Sequence, residues 1–80
     1  MTFPLLIFSI DRQIFAGDAE ALTLPSLLGQ IQILAKHAPL TALLKAGDIV
    51  IKEKDKEQKI PIEGGVVEAN PERVVVLARF

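Results

Sequence analysis

Turn residues recur at short intervals along the chain, and between them lie short apolar blocks and period-two alternation. Leu5 to Ile10 is a near-continuous apolar run, which predicts a strand buried on both faces. Asp11-Arg12 reads as a turn. Gln13 to Ala16 opens a second strand that Gly17-Asp18 bends, since a glycine inside a strand pattern points to a bulge or a close backbone approach. Next, Glu20, Leu22 and Leu24 share one face and Ala19, Ala21 and Thr23 the other, with Glu20 at the exposed start. Pro25 ends this strand because proline cannot donate to a ladder, and Gly29 permits a tight turn. Gln30-Ile31-Gln32-Ile33 then alternates as a strand with one buried face. Leu27 and Leu28 fall where a solvated turn tip belongs, and an apolar tip suggests a surface meant for a partner.

Lys36-His37-Ala38-Pro39 interrupts the pattern. Leu40 to Ala46 fits helical spacing, with Pro39 at a helix start, but its shortness and its place between strands favour a strand. Ala46-Gly47-Asp48 reads as a turn and Ile49 to Lys52 as a strand. Glu53 to Lys59 alternates in sign, as a solvated hairpin does. Ile60-Pro61-Ile62 is a strand that Pro61 confines to an edge or a bulge, and Gly64-Gly65 is a second bend. Val66 to Ala69 is a strand, Asn70 to Arg73 a turn, and the β-branched run from Val74 leads a last strand to Ala78. The expected fold is all-β: a small β-sandwich or flattened barrel of about 8–10 short strands, residues 1–80 forming one domain.

Eighty residues build only a thin core, yet half of them are hydrophobic. Some apolar surface is therefore expected to be covered by other subunits. The chain lacks cysteine, which removes disulfides and thiolate metal sites and fits a reducing compartment. Nine basic and ten acidic residues leave a net charge of −1, and no basic stripe stands ready to neutralise phosphates. The apolar run that stops at Asp11 is far short of a membrane span, and no basic segment precedes it as in a secretion signal.

Candidate chemistry is sparse. Ser9 or Ser26 with His37 as base are the available nucleophilic pairs, but a strand position for Ser9 and a turn position for Ser26 explain the serines better. A lone histidine in a loop is usually a packing or surface residue, and with no cysteine it makes no transition-metal site. Asp55 and Glu57 alternate with lysines as solvated charge. Gly64-Gly65 lacks the spacing and the following helix of a phosphate loop. Three classes remain: an interaction subunit of a larger machine, a covalent carrier domain and a small nucleic-acid-binding barrel. The carrier class wants a lysine flanked by methionine at a hairpin tip, whereas the only methionine is Met1 and Lys54 and Lys56 sit among charges. The nucleic-acid class wants stacking aromatics beside basic residues, and the aromatics are four phenylalanines.

Several elements, taken together, carry a resemblance. Phe15-Ala16-Gly17, Leu22-Thr23-Leu24-Pro25, Gly29, Ile31, Ile33-Leu34, His37-Ala38-Pro39-Leu40 and Gly47 are similar in order and spacing to the epsilon subunit of F-type ATP synthases. Gly64-Gly65-Val66-Val67-Glu68, Asn70 and Val74 to Ala78 resemble that family's closing segment. The likeness runs along nearly the whole chain, and His37-Ala38-Pro39-Leu40 at this separation from Gly64-Gly65 is its most specific part. The family usually has glycine where Ser26 and Gln32 stand, Pro-Gly at Ala35-Lys36 and Asp at Arg79. Its acidic loop residues are replaced by Leu27-Leu28 and Gln30, which implies a more apolar contact.

The resemblance implies a non-catalytic rotor subunit without cofactor or metal. It would sit on the central stalk, join the gamma subunit to the ring of membrane c subunits and carry rotation between them. Carried over by position, Ser9, His37, Leu40 and Thr41 match the face that meets gamma. Leu27, Leu28, Gly29 and Gln30 match the loop toward the c-ring. The implied location is the cytoplasmic face of the bacterial inner membrane, as a peripheral subunit touching the membrane only through the ring. Family members generally add a C-terminal helical hairpin that can inhibit ATP hydrolysis; the chain stops at Phe80, where that hairpin would begin, so a short form is expected.

Overall fold

The computed structural model describes residues 1–80 as seven strands joined by turns. They are β1 (Phe3–Phe8), β2 (Gln13–Ala19), β3 (Ala21–Ser26), β4 (Gly29–Leu34), β5 (Leu40–Lys52), β6 (Glu57–Ala69) and β7 (Val74–Arg79). All belong to one hydrogen-bonded sheet in the order β2-β1-β7-β6-β5-β3-β4. Every pairing is antiparallel except β1 with β7.

The sheet is folded over along its two long strands. A straight strand of 13 residues would run about 40 Å, whereas the longest dimension of the molecule is 29 Å. The bend falls at Gly47 and at Gly64-Gly65, where β5 and β6 face each other. Gly65 has φ of 151°, and a Cβ there would collide with the carbonyl oxygen of Leu77 and lie 3.0 Å from the Cα of Ala78. Gly47 has φ of 156°, and a Cβ there would lie 2.9 Å from the Pro25 ring. Only glycine fits both the backbone and the space at these corners. The first half of β5 and the second half of β6 thus join β7, β1 and β2 in one layer. The other halves join β3 and β4 in the second.

Between the layers lies a single cluster of 16 buried apolar residues drawn from every strand. Alternate residues supply it: Phe3, Leu5 and Ile7 from β1, Leu22 and Leu24 from β3, Ile49 and Ile51 from β5, Val74, Val76 and Ala78 from β7. Ile7, Leu22, Leu24, Ile49, Ile51, Val67, Val74 and Val76 are wholly shielded.

The architecture matches the all-β sandwich expectation, with corrections to its details. There are seven strands, because the segments on either side of Gly47 and of Gly64-Gly65 are continuous bent strands. A glycine at extended positive φ bends a ladder without breaking it. Pro61 lies inside β6, but on the stretch that β7 does not reach, so it is at a local edge as expected. Ile10 is 97% exposed beyond the end of β1. Leu6 and Phe8 are half-buried, so β1 is covered on one face only. The irregularity in β2 lies at Ile14, opposite the junction of Ile7 and Phe8; Gly17 instead receives the ring of Phe15. The serines exchange roles. Ser9 is in the β1–β2 turn, where its hydroxyl donates to Asp11 at 2.8 Å, and Ser26 is the buried last residue of β3.

Candidate functional site: an apolar sheet face and an apolar tip

Strand register places the outward side chains of the first layer in rows. Leu43 of β5 is opposite Val66 of β6, Val66 opposite Leu77 of β7, and Leu77 beside Phe8 of β1. The next row is Thr41, Glu68, Val75, Leu6 and Ala16. Facing residues on adjacent strands share one side of a sheet, so Leu43, Val66, Leu77 and Phe8 form an apolar band across four strands. Leu43 is 61% exposed and Leu77 39%. A band of this kind on the outside of a small sandwich is characteristic of an interaction surface.

At one end of the band, Ser9 and the β1–β2 turn face the end of β7 across an open cleft of about 670 Å³, whose walls include Val66, Leu77, Arg12, Arg79 and Phe80. At the Leu43 end stands the β3–β4 hairpin. The amide of Leu27 donates to the carbonyl of Leu43 at 3.0 Å, so the hairpin tip abuts the band. Leu27 is 58% exposed and Leu28 fully exposed. The tip is held by Ser26: its hydroxyl donates to the carbonyl of Gly29 and accepts the amide of Leu28 at 3.2 Å. A serine closes this turn with its side chain where the resembled family usually has glycine. Gly29 follows at φ of 126°, and Gln30 is exposed.

His37 occupies the link between β4 and β5. Its Nδ1 lies 3.0 Å from the carbonyl oxygen of Leu34 and its Nε2 2.5 Å from that of Asn70. Its ring meets that of Phe3 edge-on at 5.5 Å. The ring therefore bridges the end of β4 to the β6–β7 turn, with a backbone carbonyl oxygen beside each nitrogen. That turn is itself closed by the Asn70 side chain, which accepts the amides of Glu72 and Arg73 at 2.9 Å. The half-buried histidine thus packs against Phe3 and the β6–β7 turn. Beside it, Lys36 adopts φ of 63°, a left-handed conformation that costs an ordinary residue about 1–2 kcal/mol; the resembled family usually has glycine there.

Of the residues carried over for the gamma face, His37, Leu40 and Thr41 cluster at the start of β5. Ser9 is at the far end of β1 from Phe3, the residue that His37 touches. The two places are joined by the outward rows, in which Thr41 is followed by Glu68, Val75 and Leu6. Leu27, Leu28, Gly29 and Gln30 are together at the hairpin tip. Sequence reasoning missed Phe8, Leu43, Val66 and Leu77. For Phe8 the signal is the apolar content of both alternation phases in β1, which the sequence alone reads as burial on both faces.

A sequence profile described as the β-sandwich domain of the ATP synthase delta/epsilon chain matches residues 2–80. The chain belongs to that family. An ATP synthase epsilon chain of Dehalococcoides mccartyi is 36% identical over 72 residues, covering 90% of this chain and 51% of the relative. One of Alkalihalophilus pseudofirmus is 31% identical over 77 residues, covering 96% and 58%. The chain thus spans a little over half the length of these curated relatives. In cryo-electron-microscopy structures, a chain of the Euglena gracilis mitochondrial ATP synthase superposes with a TM-score of 0.90 at 21% identity, over 96% of this chain and 50% of its own. A chain of the Tetrahymena thermophila mitochondrial ATP synthase central stalk and c-ring does so with 0.83 at 13% identity, over 100% and 65%. These two likenesses show a shared fold. No helix is long and apolar enough to cross a membrane.

Proposed function

We propose that this chain is the sandwich part of a central-stalk subunit of a proton- or sodium-translocating F-type ATP synthase, joining the gamma subunit to the c-ring so that rotation passes between them. The supporting observation is a pair of exposed apolar features, the band Leu43-Val66-Leu77-Phe8 and the tip Leu27-Leu28, built on one rigid sandwich. A part that transmits torque needs two firm contacts and a stiff body between them. The folded sheet with one continuous core supplies the stiffness.

In this reading gamma lies on the outward rows that run from His37, Leu40 and Thr41 to Ser9. The ring receives Leu27, Leu28, Gly29 and Gln30. The chain acts by binding and holds no catalytic residue or cofactor of its own. Residues 1–80 work as one unit, peripheral at the cytoplasmic face of the bacterial inner membrane.

The test is capture by the tagged chain. Retention of a gamma-like subunit and the c-ring supports the reading, and retention of neither overturns it. The tip contact is checked by Leu27→Asp with Leu28→Asp. Both leucines lie outside the core, so the pair leaves the circular dichroism spectrum unchanged. Buried unpaired carboxylates at the ring contact lower ring retention.

A further inference from the structure

The two edges of the sheet are guarded differently. β2, at one edge, carries Asp18, is flanked by Asp11, Arg12 and Glu20, and is interrupted at Ile14. Charges and bulges of this kind prevent an edge from pairing with another chain. β4, at the other edge, has neither. From Ala21 to Ala35 there is no charged residue, and β4 pairs with β3 in an unbroken register.

The direction of the free backbone groups follows from Pro25. It faces Gln30 and has no N–H, so this pair is a non-hydrogen-bonded one. Alternation along an antiparallel ladder then turns the N–H and C=O of Gln30, Gln32 and Leu34 outward, away from β3. The Leu34 carbonyl is met there by His37. The backbone groups of Gln30 and Gln32 are left facing solvent along the edge.

We infer that β4 is a pairing site for β4 of a second copy of this chain, the two strands running antiparallel about a two-fold axis at Ile31. In that register Ile31 faces Ile31 of the other copy. Gln30 faces Gln32, and Gly29 faces Ile33. Each condition for a good ladder is met at once. The outward backbone groups of Gln30 meet those of Gln32 in one narrow pair on each side of the axis, with two hydrogen bonds in each. The exposed side chains Gln30 and Gln32 match like with like on one face, and Ile31 meets its own kind on the other. No like charges oppose each other. The arrangement is isologous and consumes the open edge of both copies, and the charged β2 edges remain outside, so assembly stops at two. A single strand pair makes a small interface, so association is weak and concentration-dependent. It also covers Gly29 and Gln30, so pairing and the ring contact proposed above exclude each other.

Sedimentation of the 80-residue chain over a range of concentrations tests this. The expected result is a reversible doubling of mass. Gln30→Lys with Gln32→Lys puts like charges opposite each other on an exposed face and weakens association by about tenfold or more. Gln30→Glu with Gln32→Glu does the same, and mixing the lysine and glutamate chains restores the pair, which shows that both are folded. Gln30→Cys and Gln32→Cys chains form a disulfide when mixed and oxidised, faster than either alone, because narrow-pair Cα atoms are about 5.5 Å apart. A chain that stays monomeric up to its solubility limit overturns the inference. So does a dimer that survives the lysine pair, or one whose cysteine chains link equally well unmixed.

Discussion

The same two strands present opposite surfaces in the two layers. In the first layer the outward residues of β5 and β6 are Thr41, Leu43, Val66 and Glu68, and β7 and β1 extend them with Leu77, Val75, Phe8 and Leu6. In the second layer they are Asp48, Val50, Lys52, Glu57, Lys59 and Pro61, and β3 and β4 extend them with Ala21, Thr23, Pro25, Gln30, Gln32 and Leu34. One outer face carries a continuous apolar band across four strands, whereas the other is mostly polar and charged where β5 and β6 cross it. An antiparallel sheet with one face on a core ordinarily shows water a polar face, and the second layer does so. The first layer departs from that pattern, and the departure is the main support for placing the proposed gamma contact there.

The largest expected effect breaks the distinction between the layers. Gly65→Ala forces a side chain against the Leu77 carbonyl at a backbone angle that L-residues avoid, and it should destabilise the chain by about 3 kcal/mol or more. Chemical denaturation measures this. A loss below about 1 kcal/mol would mean that the bend does not depend on this glycine.

Next comes the contrast between the faces. Leu43→Lys with Leu77→Lys should weaken retention of a gamma-type subunit by about tenfold or more while changing folding stability by no more than about 1 kcal/mol. Asp48→Ser with Lys59→Ser on the polar face should leave retention unchanged. Equal losses from both pairs would erase the distinction.

A smaller effect concerns the joint between layers. His37 ties the end of β4, in the polar layer, to the β6–β7 turn of the apolar one. His37→Ala should cost about 1 kcal/mol, since the half-buried site lets water replace part of what is lost, and amide hydrogen exchange should rise at Asn70 to Arg73 before it rises at Ile49 or Ile51. Uniform exchange would show that the joint is not local. The smallest effect is a gain. Lys36→Gly relieves the left-handed strain at this joint, less the added entropy of the unfolded chain, and should raise the unfolding free energy by about 0.5–1 kcal/mol. A loss would mean that the lysine side chain stabilises the link.

Much of this molecule was determined by the sequence alone. Strand-type alternation, the turns at Asp11-Arg12 and Asn70 to Arg73, the charged hairpin within Glu53 to Lys59, whose last three residues open β6, and the apolar tip at Leu27-Leu28 are local properties, set by the side chains and backbone preferences of a few neighbouring residues. The family was legible for the same reason, because its glycines and His37-Ala38-Pro39-Leu40 mark backbone requirements that recur at fixed separations. Tertiary structure decided the rest. Whether Gly47 and Gly64-Gly65 end strands or bend them depends on ladder partners that are distant in sequence, such as Ile62 for Gly47 and Ala78 for Gly65. Ser9 and Ser26 took each other's expected settings because hairpin register, not residue type, placed them. Above all, an apolar run such as Leu5 to Phe8 says that both faces avoid water without saying what covers each. Pairing with β2 and β7 assigned Leu5 and Ile7 to the core and left Leu6 and Phe8 on the outer band. Register is a property of the folded sheet, and a shift of one residue would have exchanged the two sets.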